Sequence, residues 1–225
     1  MARFSRMQVL NAMYDKGLVP VFYHPDIEVV KNVAKAVFKG GLNLLEFTNR
    51  GDLAFSVFME LEKFCASELP QMITGVGSVV DAATAGLYIN CGANFVVGPL
   101  LNPDVARACN RRKIPYCPGC GSASEISQAE ELGCEIVKVF PGDSVGGPQF
   151  VKSVKAPCPW VSLMPTGGVE TTEESLKAWF DAGVACVGVG SNLITKELLK
   201  KKDYDVIARK VEETLALVRK VRAGK

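Results

Sequence analysis

The sequence predicts a single-domain α/β protein, a (β/α)8 TIM barrel. Three observations carry this. First, four times a helix-like segment ends at a glycine, two residues follow, and a short apolar run begins: at Gly41, Gly92, Gly133 and Gly183. Such a glycine suits the position after a helix, where φ is positive, and the run after it suits a buried parallel strand. Second, these glycines lie 51, 41 and 50 residues apart, the length of two strand–helix units rather than one. Third, four further apolar runs fall among them: Leu18–Tyr23, Met72–Val76, Pro115–Pro118 and Ser162–Pro165. Eight alternating strands and helices are the signature of the closed barrel. An open doubly wound sheet is the alternative, but the even period and the lack of a GxGxxG turn disfavour it.

The elements follow in order along 1–225. An N-terminal helix over 1–17 leads into the first strand at Leu18. Ile27, Val30, Val33, Ala34, Val37 and Phe38 then repeat at helical spacing. Gly41 opens the second strand, in which Leu44, Glu46 and Thr48 share one side by alternation. The third strand ends at Gly75-Val-Gly77-Ser78, and the fourth follows Gly92. The fifth is Pro115–Pro118, and Ser122-x-x-Glu125 caps the helix after it. Gly133 opens the sixth strand, in which Ile136, Lys138 and Phe140 share a side. The seventh ends at Pro165, with a capping box predicted at Thr171-x-x-Glu174. Gly183 opens the eighth, and a helix over 203–222 closes the chain. Glu46, Val97, Lys138 and Gly188 each lie five residues after their glycine. They therefore predict one interior layer drawn from alternate strands.

Composition narrows the function. The chain is 48% hydrophobic and 22% charged, with a net charge of +2. That balance fits a soluble globular protein and gives no electrostatic surface for nucleic acid. No apolar run reaches the ~18 residues of a membrane span, and the start lacks a secretory h-region. The one histidine, His24, excludes a catalytic zinc site built on two or three histidines of one chain. Eight cysteines without a secretory signal read as reduced cytoplasmic thiols. Cys117-Pro-Gly-Cys120 reads either as a redox pair or as two unpaired thiols at a strand end.

Lys138 is the sharpest chemical signal. A cation inside the run Ile-Val-Lys-Val-Phe costs several kcal/mol if buried without a partner. It is either the structural ion-pair partner of Glu46 or an amine whose pKa is depressed by desolvation and by a nearby cation. The second form is free to attack a carbonyl. Arg50 is the candidate cation, and it is placed to grip a substrate carboxylate. Glu46 is then a general acid/base with a raised pKa. Two glycine turns, Thr166-Gly167-Gly168 and Gly188-Val-Gly190-Ser191, follow the seventh and eighth strands, where such barrels hold phosphate. Gly77 and Ser78 offer backbone N–H groups and a hydroxyl. His24 reads as a rim residue, and Tyr204–Arg222 as a core-packing helix with a solvated basic face.

Leu45-Glu46-Phe-Thr48-Asn-Arg50, Gly75-Val-Gly77-Ser78, Val137-Lys138-Val-Phe140-Pro141, Pro165-Thr166-Gly167-Gly168 and Gly188-Val-Gly190-Ser191 occur in order. Together, from about Val19 onward, they resemble the bacterial 2-keto-3-deoxy-6-phosphogluconate (KDPG) / 4-hydroxy-2-oxoglutarate (KHG) aldolases. The resemblance implies a metal-independent class I aldolase without cofactor. It also implies a cytoplasmic homotrimer serving Entner–Doudoroff-type carbohydrate metabolism. Its partners would be small molecules, a 2-keto-3-deoxy acid phosphate and pyruvate.

By that resemblance Lys138 forms the Schiff base and Glu46 moves protons. Arg50, Gly77 and Ser78 hold the pyruvyl carboxylate. Thr48, Pro99, Phe140 and Thr166 line the pocket, with Phe140 beside the imine. Gly167, Gly168, Gly190 and Ser191 bind phosphate. Three positions depart from the usual pattern: Ser78 in place of Thr, Gly98 in place of Ser, and Tyr23-His24 where many relatives carry an arginine. Rivals are the same chemistry on the 6-phosphogalactonate epimer or an unphosphorylated keto acid, a phosphate-binding synthase or isomerase without an imine, and a non-catalytic metabolite binder.

Overall fold

The computed structural model describes residues 2–224. Met1 and Lys225, the ends of the expected 1–225 domain, lie outside them. The N-terminal helix α1 is Arg6–Lys16, started by a reciprocal Ser5–Gln8 capping box and stopped at Gly17 with φ +67°. Strands and helices then alternate: β1 Leu18–Phe22, α2 Ile27–Lys39, β2 Leu44–Thr48, α3 Ala54–Glu68, β3 Ile73–Gly77, α4 Ala82–Asn90, β4 Val96–Val97 and α5 Pro103–Arg112. Two short strands follow, β5 Tyr116–Cys117 and β6 Gly119–Cys120, then α6 Ala123–Glu131, β7 Val137–Val139 and α7 Gly147–Lys155. The chain ends with β8 Leu163–Pro165, α8 Glu173–Asp181, β9 Val187–Val189, α9 Lys196–Lys201 and α10 Tyr204–Ala223.

All pairings are parallel, in the order β5-β4-β3-β2-β1-β9 and β6-β7-β8. A bridge between Thr166 and Gly188 joins β8 to β9, and the chain itself carries β5 into β6. The ring is therefore closed. The expected fifth strand is two pieces because Pro118 between them has no N–H to give a ladder, although its carbonyl still accepts from Lys138 N at 2.9 Å. The four repeat glycines have φ of +87°, +104°, +79° and +95°, the left-handed region that a Cβ disfavours. At Ser122 the cap forms, Ser122 Oγ accepting from Glu125 N, but the expected box is not closed on Ser122: the Glu125 carboxylate accepts instead from Gly121 N at 2.9 Å. The second expected box does not form: the cap lies one residue later, at Thr172, whose hydroxyl accepts from Ser175 N at 3.3 Å, and the residue facing it is a serine rather than a glutamate.

Parallel partners point to the same side, so register identifies the interior. Glu46 pairs with Val21 and Gly75, Gly119 with Lys138, Lys138 with Met164, and Gly188 with Val19. Phe95 fills the space that Gly75 leaves: a Cβ there would lie 2.3 Å from the ring. The predicted inward sides of β2 and β7 are thus the inward sides. The same alternation corrects the redox-pair reading. Cys117 and Cys120 sit an odd number of residues apart on extended chain and face opposite sides. Cys117 pairs with Val97, whereas Cys120 pairs with Val139, the outward neighbour of Lys138. Both thiols are free and buried, and burial pushes Cys120 up to about 12.

The helices pack their apolar faces on the barrel's outer surface, and α10 lies against both α2 and α8 to close the helical ring. α1 crosses the N-terminal end of the barrel. Arg6 reaches Ile114 O, and Tyr14 and Ser162 are hydrogen-bonded through their hydroxyls. The opposite end is left open.

Candidate active site

At the open, C-terminal end lies a cavity of about 450 Å³. Arg50, Phe140, Thr166, Gly167, Gly168, Gly190 and Ser191 line it, as do Val21, Tyr23, Asn192 and Lys196. Glu46 and Lys138 lie deeper by one strand repeat and are only 1% and 5% exposed.

Lys138 is inward on β7 because Val137 and Val139 take the outward side of the strand. Its Nζ sits 4.7 Å from the centroid of the Phe140 ring, one inward step nearer the mouth. Burial pulls its pKa down; Glu46 opposes that and Arg50 adds to it. Glu46 is inward on β2. Burial raises its pKa, against the opposing pull of Lys138 and then Arg50. The two groups influence each other through space, but no ion-pair contact joins them. Glu46 Oε2 is buried without a hydrogen-bond partner. The structural ion pair weighed from the sequence is therefore not formed. Gly77 has a specific steric use here: a Cβ on it would stand 1.8 Å from Glu46 Oε1. The glycine makes room for the carboxyl.

Arg50 is exposed at the end of β2, with Nε 3.4 Å from Ser78 Oγ. Ser78 has φ +60°, an unusual conformation for a residue with a side chain, and it turns the chain sharply after β3. Thr48 and Pro99 do not line the cavity. Thr48 is fully buried and its hydroxyl donates to Phe22 O at 3.4 Å, while Pro99 packs against Gly119. His24 is a turn residue, its Nδ1 accepting from Asp26 N at 3.1 Å.

Across the mouth, Gly167 and Gly168 have φ of +91° and +71°. Asn192 Nδ2 donates to Val169 O at 2.9 Å and ties the two glycine turns together. Thr166 Oγ1 is buried, has no partner, and lies over Gly188, where a Cβ would be 2.3 Å away. The sequence places both turns, the second running from Gly188 to Asn192, but gives no role to Asn192 and does not single out Lys196. Both flank the buried pair Leu193-Ile194 in a loop with no periodic pattern, and the sequence alone does not give their direction. Among the described residues no group of three or more His, Cys, Asp or Glu side chains is placed to hold a metal ion.

A parallel barrel with a nearly buried amine, a buried carboxyl and an open mouth lined by cations and glycine turns defines a class: carbon–carbon lyases that work through an imine rather than a metal. The comparisons with known proteins agree. The family model "KDPG and KHG aldolase" matches residues 9–210. A 2-dehydro-3-deoxy-phosphogluconate aldolase of Dickeya dadantii is 31% identical over 94% of this chain and 95% of its own. The KDPG aldolase of Legionella pneumophila, solved with pyruvate captured as a covalent carbinolamine, superposes with a TM-score of 0.83 at 26% identity, covering 91% of this chain and 97% of that one. The KDPG aldolase of Zymomonas mobilis ZM4, solved with 3-phosphoglycerate, gives 0.79 at 26% identity, covering 94% and 97%. The chain belongs to the KDPG/KHG aldolase family and is a class I, Schiff-base aldolase.

Proposed function

We propose that this aldolase reversibly cleaves 2-keto-3-deoxy-6-phosphogluconate to pyruvate and glyceraldehyde 3-phosphate, and accepts 4-hydroxy-2-oxoglutarate by the same steps. The observation that carries the reading is the Lys138 amine, held down in pKa and facing the same interior as the unpartnered Glu46 carboxyl. Lys138 Nζ attacks the C2 ketone, and a carbinolamine forms. Loss of water gives an iminium, an electron sink that needs no metal. Glu46 takes the C4 hydroxyl proton, directly or through a water. The C3–C4 bond breaks, its electrons pass into the enamine, and the aldehyde leaves. The enamine is protonated at C3, water adds to the iminium, and pyruvate is released with the amine restored.

Arg50, with Ser78 and the backbone at Gly77, holds the pyruvyl carboxylate. Phe140 walls the imine, and Gly167, Gly168, Gly190 and Ser191 receive the phosphate. The two solved relatives support the two halves of this assignment, one with pyruvate captured covalently and the other with a phosphorylated acid. We also place this barrel, as one domain, in a cytoplasmic homotrimer. Exposed Leu53, Val80 and Leu100 follow the adjacent strands β2, β3 and β4 and form an apolar rim that a second copy would cover. Sedimentation equilibrium reads that stoichiometry.

Borohydride trapping with pyruvate tests the chemistry. A stable adduct on Lys138 is expected in the wild type, and none in Lys138→Ala, whose turnover falls to background. Glu46→Gln keeps the adduct but loses ~10²- to 10⁴-fold in turnover, the range of a lost general base. An adduct elsewhere, or appreciable turnover by Lys138→Ala, sinks the assignment.

A further inference from the structure

We infer that Lys196, at the start of α9, supplies the positive charge that binds the phosphate end of the substrate and so sets the preference for phosphorylated over unphosphorylated keto acids. The inference rests on the aldolase reading for its substrate, but its site stands on geometry alone. Among the described residues whose side chains line the cavity, two are charged, Arg50 and Lys196, and both are cationic. They stand on opposite sides of β1. Arg50 ends β2 and Lys196 follows β9, and β2 and β9 are the two neighbours of β1. The end of β1 places Tyr23, an uncharged side chain, between them.

The two cations are not interchangeable. Arg50 leans away from β1, its Nε directed to Ser78 Oγ beyond β3. It is therefore committed to the carboxylate end. Lys196 shares its side of the mouth with both glycine turns, whose missing side chains open the backbone to an anion. Its own carboxylate neighbour in sequence, Glu197, is taken by Lys201 at 2.6 Å. Among the described residues no acidic group pairs with Lys196, and no acidic side chain lines the cavity. A substrate with a carboxylate at one end and a phosphate at the other meets one cation at each end. The unphosphorylated 4-hydroxy-2-oxoglutarate carries at that end only a singly charged C5 carboxylate, on a shorter chain, and so gains less from Lys196.

Two measurements test this. Inorganic phosphate is titrated into the full chain and into Lys196→Ala, followed by amide chemical shifts of the Gly167–Gly168 turn. The variant is expected to bind phosphate ~10-fold or more weakly, the worth of one charge-assisted contact. Equal affinity in the two proteins, or no phosphate binding by either, overturns the inference. This arm does not depend on catalysis, so it decides the question even if pyruvate trapping fails on Lys138 and the aldolase reading falls.

Steady-state cleavage of the phosphorylated substrate and of 4-hydroxy-2-oxoglutarate is the second arm. Lys196→Ala should raise KM for the phosphorylated substrate, so that its kcat/KM relative to the unphosphorylated one falls ~10-fold or more. Lys196→Arg should restore most of the ratio. Lys200→Ala, on the same helix but away from the cavity, should leave both substrates as they are. Equal losses on both substrates in Lys196→Ala would mark a structural role and overturn the proposal.

Discussion

At the scale of single residues, the site works by denying charged groups their usual partners. Among the described residues Lys138 is buried without an ion pair, and Glu46 keeps one carboxyl oxygen unsatisfied. Water is the more favourable environment for both groups, so burying them costs stability that the rest of the barrel must offset. Arg50 tunes the pair from outside. Its charge disfavours the ammonium form of Lys138 and so lowers that pKa. Removing it has a determined sign. In Arg50→Met the Lys138 pKa moves up, a smaller fraction of amine is free at neutral pH, and the rising limb of pyruvate trapping shifts to higher pH. Trapping at saturating pyruvate across a pH series reads this shift, and an unmoved or acid-shifted limb refutes it. Lys138 and Glu46 were legible in the sequence because a charge inside an apolar strand has few innocent explanations. Lys196 was not. An exposed lysine at the start of a lysine-rich helix looks like any solvated cation until the fold sets it beside two glycine turns.

Elements were legible to the extent that local chemistry fixes them. Gly41, Gly92, Gly133 and Gly183 announced helix ends because left-handed backbone is a property of the residue itself. The split at Pro118 and the one-residue displacement of the Thr172 cap were not visible, since both depend on how neighbouring strands and loops meet. Gly40 and Gly41 separate the two kinds of information. Gly41 has φ +87° and only Leu215 near a would-be Cβ, at 3.9 Å. Gly40 has an ordinary φ of −71°, yet a Cβ there would meet Ala208 O at 2.6 Å and Val211 at 2.7 Å, both on α10. Gly41→Ala should therefore cost ~1 kcal/mol, from backbone conformation alone. Gly40→Ala should cost more, ~2–3 kcal/mol, by prising α10 from α2. Urea denaturation of the two variants ranks them, and the reverse order would show that α10 yields easily.

At the scale of the whole molecule, the barrel is closed underneath by a polar cluster that links distant parts of the chain. Arg3 Nε pairs with Glu62 on α3 at 3.3 Å, and its other nitrogens donate to Pro70 O and Met72 O before β3. Asn94, before β4, accepts from the backbone of Arg3 and Phe4 and donates to Thr74 O. No sequence pattern joins positions so far apart, and only closure of the ring brings them together. Glu62 makes this cluster sensitive to pH. Burial pushes its carboxyl up to about 7, with Arg3 pulling the other way. A raised carboxyl binds its proton more tightly in the folded chain than in the unfolded one. Its contribution to stability is therefore fully present below the unfolded value near 4.5 and is lost as pH rises through about 7. Between pH 5 and pH 8 the folded state should lose about 2–3 kcal/mol through this one group. Glu62→Gln removes the titration while keeping an amide to face Asn94. Denaturant unfolding of both proteins at the two pH values isolates the effect, because every other group cancels in the difference. The wild type should lose that much more than the variant on going to pH 8. Equal losses would mean that Arg3 holds Glu62 ionised throughout, and that the seal beneath the barrel is a salt bridge at every working pH.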